Sequence, residues 1–256
     1  MVPLTEKYRP LTLDTFAGLG TAKTLLSALR DNPWESAWLL VGDSGTGKTT
    51  MALALASEMK AEIHHIASRQ CDLEVVEKTV NKCHYTPWNN GWHICIIDEA
   101  DQMTRAAQLC FLSKLDSTAR PPKTIFLFTA NETKLLEKRF IGRCRIIRFL
   151  GCQDAAGGAA FLAHVWKLEA SGKPAPDFAD LLQRNEYNLR SCLHNLEMEL
   201  LAPGYIAKPE PVSEPETRTR HHAAASVVSI DDQKARRQEA ARRAWVTIRA
   251  RRAAKG

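Results

Sequence analysis

Gly42-Asp43-Ser44-Gly45-Thr46-Gly47-Lys48-Thr49 is the stretch that decides the fold of this chain. It matches G-x-x-x-x-G-K-[ST], the pattern of phosphate-binding P-loops. The apolar run Ala37–Val41 before it predicts a buried strand, and Thr50–Met59 after it predicts a helix. This strand–loop–helix context favours a phosphate site over a Gly-rich turn that fits the pattern by chance.

The loop residues suit phosphate for separate physical reasons. Glycines let successive backbone N–H groups point at phosphate oxygens, and the start of the helix adds its positive dipole end. We expect Lys48 to reach the β- and γ-phosphates of a nucleotide and the Thr49 hydroxyl to bind Mg²⁺. The predicted phosphate-binding residues are Gly42, Asp43, Ser44, Gly45, Thr46, Gly47, Lys48, Thr49 and Thr50.

An acidic pair follows a second apolar run, His93–Ile97. P-loop enzymes carry such a pair on the strand that neighbours the P-loop strand. We predict that Asp98 holds Mg²⁺ and that Glu99 acts as general base toward the attacking water. Two acids after a strand are also compatible with a solvated helix cap, and the upstream P-loop favours the catalytic interpretation.

Composition places the chain among ordinary globular proteins. It has 256 residues, of which 45% are hydrophobic and 25% charged, and no apolar run approaches the ~18 residues of a membrane span. The N-terminal segment has no signal-peptide pattern. Seven scattered cysteines without a C-x-x-C pair predict reduced thiols in a cytoplasmic protein, with neither zinc nor disulfides.

The formal charge of +6 is concentrated at the C-terminus. Residues 231–256 carry nine Lys/Arg and three Asp/Glu, which accounts for the whole excess. The rest of the chain is therefore not a basic domain. Only the tail has the positive charge that would attract nucleic-acid phosphates without sequence specificity.

Helix and strand patterns alternate through residues 11–150 and predict a core domain at 1–150, an α/β fold with a parallel, doubly wound sheet. Helices are predicted at 21–29, 50–60, 72–83 and 106–115, with Leu73, Val76 and Val80 as the apolar positions of the third. Strands are predicted at 37–41, 63–67, 94–97, 124–129 and 145–149. Nucleotide is expected at the carboxyl ends of these strands.

A small helical domain is predicted at 151–202, with helices at 155–170, 178–184 and 189–201. A Pro-rich linker is predicted at 203–232, followed at 233–256 by a basic tail that is helical or disordered. Three interpretations of the tail stay open. The first is a solvated charged segment, the second is a nucleic-acid contact in which Trp245 stacks on a base, and the third is a helix that binds a partner protein.

Residues 4–202 resemble the AAA+ ATPase subunits of clamp loaders, such as the small subunits of replication factor C. The opening segment Leu4–Gly18, the strand with its terminal residues Phe126–Asn131, the run Lys138–Cys144 and the helix start Asn188–Leu196 carry this resemblance. It implies an AAA+ core followed by a helical lid, with ATP and Mg²⁺ bound between them.

The resemblance also implies roles for individual residues. Those beside the adenine are Tyr8, Arg9 and Pro10. Asn131 corresponds to sensor 1, which contacts the γ-phosphate or the attacking water, and Arg190 corresponds to sensor 2 in the lid. Arg143 corresponds to the arginine finger that enters a neighbouring subunit's site, which implies a homo- or hetero-oligomer.

Two departures from the family pattern are visible. Gly142 stands where the family's Ser-Arg-Cys motif has Ser, and Asn-Glu-Tyr-Asn precedes Arg190 in place of the usual turn. The chain also offers no length for the family's third helical domain, the collar, so the mode of assembly is left open.

The predicted function is ATP hydrolysis that drives a conformational change on DNA, with primer–template DNA and a sliding clamp as partners and no membrane. One alternative is another AAA+ DNA motor, or a loader for a helicase or transposition system. A second alternative is a non-hydrolysing nucleotide-binding scaffold.

Overall fold

The computed structural model describes residues 2–67, 71–87, 91–116, 118–152, 154–170 and 172–206. The predicted basic tail and most of the predicted linker lie outside these residues. The strands are β1 (Ser36–Gly42), β2 (Glu62–Ala67), β3 (His93–Asp98), β4 (Thr124–Ala130) and β5 (Arg145–Phe149). The helices are α1 (Leu4–Lys7), α2 (Gly20–Asp31), α3 (Lys48–Glu58), α4 (Leu73–Lys82), α5 (Arg105–Lys114), α6 (Lys138–Ile141), α7 (Ala155–Glu169), α8 (Phe178–Arg184) and α9 (Leu189–Leu201).

The five strands form one parallel sheet in the order β2-β3-β4-β1-β5. Strands β3 and β4 are buried along nearly their whole length, because helices cover both faces of the sheet. This arrangement confirms the predicted α/β class. The sequence interpretation was wrong in one respect, since β3 is not the neighbour of β1. Strand β4 pairs with both, because its side chains, apolar apart from Thr124 and Thr129, suit a position that is buried along the whole strand.

Two apolar clusters cover the two faces of the sheet. On one face, β-strand side chains meet α4, α5 and α6 around Phe111, Phe128 and Phe140. On the other face, α2 and α3 pack on the sheet through Leu26, Leu29 and Leu55. In α4, Val76 and Val80 are buried as predicted, whereas Leu73 is 47% exposed because it opens the helix at the surface.

A third apolar cluster joins α7, α8 and α9 through Leu162, Leu182 and Leu196. Leu4 of α1 belongs to this cluster, so the beginning of the chain packs with its last described helices. Sequence patterns predicted all three of these longer helices but not the four-residue α1. The division into a core at 1–150 and a lid at 151–202 stays a prediction.

Side-chain caps explain where several helices begin. Asp72, Thr104, Asp154, Asp177 and Asn188 each accept a hydrogen bond from a backbone N–H of the first turn that follows. Such a bond satisfies one of the amides that a helix start leaves without an internal partner. In the described part of the chain, no helix combines the length and the apolar character needed to cross a bilayer.

Candidate functional site

The P-loop connects β1 to α3 at the carboxyl edge of the sheet. Gly45 has a φ of +84°, a conformation that side chains rarely adopt. A Cβ at Gly45 would lie 2.7 Å from Oδ1 of Asn188, so the loop also needs glycine there for close approach to the start of α9. Asn188 Nδ2 donates to Ser44 O at 2.7 Å and thereby joins the start of α9 to the loop.

Lys48 is the first residue of α3 and is only 8% exposed. Its Nζ donates to Gly42 O at 2.6 Å, to Asp43 O at 2.8 Å and to Asn131 Oδ1 at 3.2 Å. Burial lowers the pKa of the Lys48 ammonium, and the carboxylate of Asp101 opposes this shift most strongly. The loop carbonyls and Asn131 therefore hold the ammonium at the place where the sequence predicts phosphate.

Asp98 ends β3 beside the start of α3. The Thr49 hydroxyl donates to Asp98 Oδ1 at 2.6 Å, and the Thr129 hydroxyl donates to the same oxygen at 2.8 Å. His65 Nε2 lies 3.2 Å from Asp98 Oδ2. Although β4 separates β1 from β3, the parallel strands end at one edge, which brings Thr49 and Asp98 into contact.

A hydroxyl oxygen next to a carboxylate is a donor set that suits Mg²⁺, which prefers hard oxygen ligands and shares them with substrate phosphates. Thr49 and Asp98, the two residues predicted to hold the metal, thus fit that ion. Glu99 follows with a φ of +50°, and its backbone N–H donates to Thr129 Oγ1 at 3.0 Å. This contact keeps Glu99, which directly follows the predicted metal ligand Asp98, at the same edge of the sheet.

Two adjoining cavities share the P-loop as their wall. The smaller, of about 200 Å³, is polar and contains most of the predicted catalytic side chains. The larger, of about 500 Å³, lies between the N-terminal segment, the P-loop and α9, and its size matches that of small-molecule sites. Predicted residues lining the smaller cavity are Ser44, Gly45, Gly47, Lys48, Thr49, Thr50, Asp98, Glu99, Asn131 and Arg190.

The larger cavity has the character of a pocket for a flat base. Tyr8, Arg9 and Pro10 line it, together with Phe16 and Phe161. Thr46 of the P-loop also lines it, and Arg190 borders both cavities. The Tyr8 hydroxyl donates to Glu169 of α7, where burial and this hydrogen bond raise the pKa of Tyr8 to about 12.

Three predicted site residues line neither cavity: Gly42 and Asp43, whose carbonyls accept from Lys48, and Arg143, which has no contact with the site. Its side chain is 36% exposed, and its Nη2 lies 3.4 Å from Asp116 Oδ2. Arg143 therefore does not contact the cavities of its own chain, and its role as an arginine finger stays a prediction.

Sequence reasoning missed Asp101, Thr129, His65 and Asn188. Asp101 Oδ2 accepts from the backbone N–H of Asn131 at 3.2 Å, and its Oδ1 is buried without a hydrogen-bond partner among the described residues. The acidic run after β3 was a signal for Asp101. The other three become visible only when the chain is folded, because their partners lie 31, 33 and 144 residues away.

Comparison with known proteins agrees with this geometry. Residues 38–152 match the ATPase family associated with various cellular activities (AAA). Replication factor C subunit 3 of Blastobotrys adeninivorans is 29% identical over 204 residues, covering 77% of this chain and 60% of the relative. The replication factor C small subunit of Thermofilum pendens is 28% identical over 202 residues, covering 75% and 61%. The chain thus spans about three fifths of the length of these relatives.

Among solved structures, the RuvB Holliday junction branch migration motor of Thermotoga maritima superimposes with a TM-score of 0.60 at 20% identity, covering 74% of this chain and 64% of that one. At this identity the likeness shows the fold. Residues 38–152 thus match the AAA family of ATPases, and the chain is similar there and beyond to subunits of replication factor C.

Proposed function

We propose that this chain binds and hydrolyses ATP with Mg²⁺ as one subunit of a clamp-loader-like assembly that acts on DNA in replication. The observation that carries the proposal is the convergence of Lys48, Thr49, Asp98, Asn131 and Arg190 on one polar cavity that opens toward a base-sized pocket. The replication role rests on the similarity to replication factor C subunits.

In this proposal, different residues of the chain carry out different parts of phosphoryl transfer. P-loop amides and Lys48 bind the β- and γ-phosphates, and Arg190 reaches the γ-phosphate from the lid. Thr49 and Asp98 hold Mg²⁺, which neutralises developing charge on the phosphate oxygens when bound. Asn131, fixed by Lys48 and Asp101, orients the attacking water, and the Glu99 carboxylate accepts its proton.

The experiment that tests hydrolysis is steady-state ATP turnover by the Glu99→Gln variant. The amide keeps the size of the side chain but cannot accept the proton, so turnover is expected to fall at least about 100-fold while nucleotide binding is retained. Glu132→Gln is the matched control, since Glu132 is an exposed acid near Asn131 that pairs with Lys134. Measurable turnover that is unchanged in Glu99→Gln would contradict Glu99 as the general base, and no turnover in either protein would favour the non-hydrolysing scaffold.

The DNA role is tested separately by adding primer–template DNA and then a sliding clamp at low salt. Turnover that rises with both additions supports clamp loading. Turnover that rises with DNA and ignores the clamp favours another AAA+ DNA motor, and turnover that ignores both contradicts the replication role.

A further inference from the structure

Two histidines and a cysteine meet at the amino end of β3, at the opposite end of this strand from Asp98. His64 lies on β2, Cys83 follows α4, and His93 begins β3. One donor atom from each lies within 4.8 Å of the other two. Asp98 lies five positions after His93, or about 16 Å along the strand, so this group is distinct from the nucleotide site.

The orientation of His93 is set by a backbone carbonyl. His93 Nε2 lies 2.8 Å from Tyr85 O. Because a carbonyl oxygen only accepts, Nε2 carries the proton, and Nδ1 of the neutral ring presents a lone pair to the group. A ring nitrogen that donates to a carbonyl while the other faces inward is the usual arrangement of a metal-binding histidine.

The two histidine nitrogens are spaced nearly as in a tetrahedral site. His64 Nε2 lies 3.0 Å from His93 Nδ1. Zinc bonds of about 2.0–2.3 Å place tetrahedral nitrogen and sulfur ligands about 3.3–3.8 Å apart. For both nitrogens to bind one zinc ion, the distance between them therefore has to increase by about 0.3 Å.

Two further groups surround these ligands. The Cys95 thiol is completely buried and lies 3.4 Å from Cys83 Sγ, within hydrogen-bond distance. A thiol in this place can donate a hydrogen bond to a metal-bound sulfur and so support the ligand. The Glu62 carboxylate lies 3.8 Å from His64 Nε2 and 3.9 Å from His93 Nδ1, next to both imidazoles.

We infer that His64, Cys83 and His93 form a binding site for a divalent transition metal, with zinc as its occupant and Glu62 as the fourth ligand. Two imidazoles, a thiolate and a carboxylate are ligands that zinc accepts in tetrahedral geometry. The metal joins β2, an outer strand of the described sheet, to β3 and to the end of α4. Cysteine spacing alone did not predict this site, because two of its ligands are histidines on different strands.

The test is metal binding by the full chain, prepared under reducing conditions with chelator and then dialysed against Zn²⁺ or Co²⁺. About one equivalent of zinc per chain is expected to remain, and Co²⁺ is expected to give tetrahedral d–d bands with a thiolate charge-transfer band. A hundredfold excess of Zn²⁺ over its Kd is expected to raise Tm by about 5–10 °C.

Variants locate the site. Cys83→Ser and His64→Ala are expected to weaken zinc binding at least about tenfold and to abolish the Tm shift. His64 is partly exposed, so His64→Ala keeps the test valid if the loss of the buried Cys83 thiol prevents folding. The controls are His84→Ala, an exposed neighbour outside the group, and Cys192→Ser, a buried thiol in α9.

Three outcomes would overturn the inference. They are no retained metal in the wild-type chain, equal binding by the His64 and His84 variants, or a Cys83–Cys95 disulfide that persists under reducing conditions and excludes Zn²⁺. Because ATP turnover is not the readout, these results are independent of the proposed function.

Discussion

Gly42 has no side chain, which allows the end of β1 to lie against the end of β5. A Cβ there would come within 1.9 Å of the Phe149 carbonyl oxygen and 2.8 Å of its carbon, both of them backbone atoms. Neither atom belongs to a flexible side chain, so only a shift of one strand relieves the overlap. Gly42 also supplies a carbonyl to Lys48, which links this packing to the site.

We predict that Gly42→Ala lowers the free energy of unfolding by about 1–3 kcal/mol or more, because the overlap strains the β1–β5 pair. Gly20→Ala is the control, since a Cβ at Gly20 meets nothing within 4 Å and Gly20 opens a helix. That variant is expected to be neutral or stabilised by up to about 1 kcal/mol. Urea unfolding measures both, and equal stability of the two variants would contradict the prediction.

At the scale of elements, the start of α9 is where the predicted lid contacts the P-loop. Asn188 Oδ1 accepts from the N–H groups of Arg190 and Ser191, while its Nδ2 donates to Ser44 O. One side chain thus begins the helix and sets its distance from the phosphate loop. Since Arg190 lies two residues later, the same contact positions the predicted sensor.

We predict that Asn188→Ala raises KM for ATP and lowers the free energy of unfolding by about 1 kcal/mol, the usual contribution of a helix cap. Asp177→Ala is the matched control, because Asp177 caps α8 in the same way. It is expected to lose similar stability with no change in KM. An unchanged KM in Asn188→Ala would show that the lid contact does not serve nucleotide binding.

Helix α1 is tied to α7 by a second polar contact. The Lys7 ammonium lies 2.6 Å from Glu169 Oε1, and the Tyr8 hydroxyl donates to the same carboxylate. The hydrogen bond from Lys7, followed by that from Tyr8, lowers the pKa of Glu169. The carboxylate is therefore more acidic in the folded chain than in the unfolded one.

A group with a lowered pKa stabilises the fold above its unfolded pKa, about 4.3 for Glu, and loses that contribution as the pH falls through its folded pKa. We predict that the stability difference between wild type and Glu169→Gln is constant from about pH 6 to 9 and shrinks below about pH 4. Urea unfolding across this pH range measures it. A difference that grows toward acid pH would contradict the assigned sign.

The raised pKa of Tyr8 acts at the opposite end of the range. The contribution of Tyr8 to the stability of the fold is present below its unfolded pKa of about 10. It is lost as the pH rises through the folded pKa of about 12. Tyr8→Phe, which keeps the ring but lacks the hydroxyl, serves as the second variant of this contact.

At the scale of the whole molecule, the described chain builds a site that lacks one predicted component. Every other predicted site residue lines one of the two cavities or, like Gly42 and Asp43, accepts a hydrogen bond from Lys48 through its carbonyl. Arg143, in contrast, lies at the surface beside Asp116. If Arg143 acts as an arginine finger, it completes the site of another copy or another subunit.

We predict that Lys48→Ala and Arg143→Ala are each inactive and that their mixture recovers part of wild-type turnover. The Lys48 variant offers an intact Arg143 to the intact nucleotide site of the other variant, provided that this chain assembles with itself. Arg139→Ala, at an exposed arginine one turn away, is the control and is expected to keep its activity. A mixture no more active than its components would contradict action between copies of this chain.

Local patterns explain how much of the fold was predictable. The apolar run of β4, the spacing of α9 and the P-loop are properties of short segments, so their elements agree with prediction within a few residues. The four-residue α1 and α6 were missed because helices this short leave no periodic pattern. For the site, motifs identified Lys48, Thr49, Asp98 and Glu99, and the geometry brings them together.

The sequence by itself determined the α/β class, the P-loop and the acidic pair after β3, because each depends on residues adjacent in the chain. Only the tertiary structure decided that β4 separates β1 from β3, that Asn188 contacts Ser44 and that His64 meets Cys83 and His93. These contacts depend on which strands pair and where helices dock. The pairing of strands and the docking of helices are decided by the apolar surface buried over the whole core, which no single segment encodes.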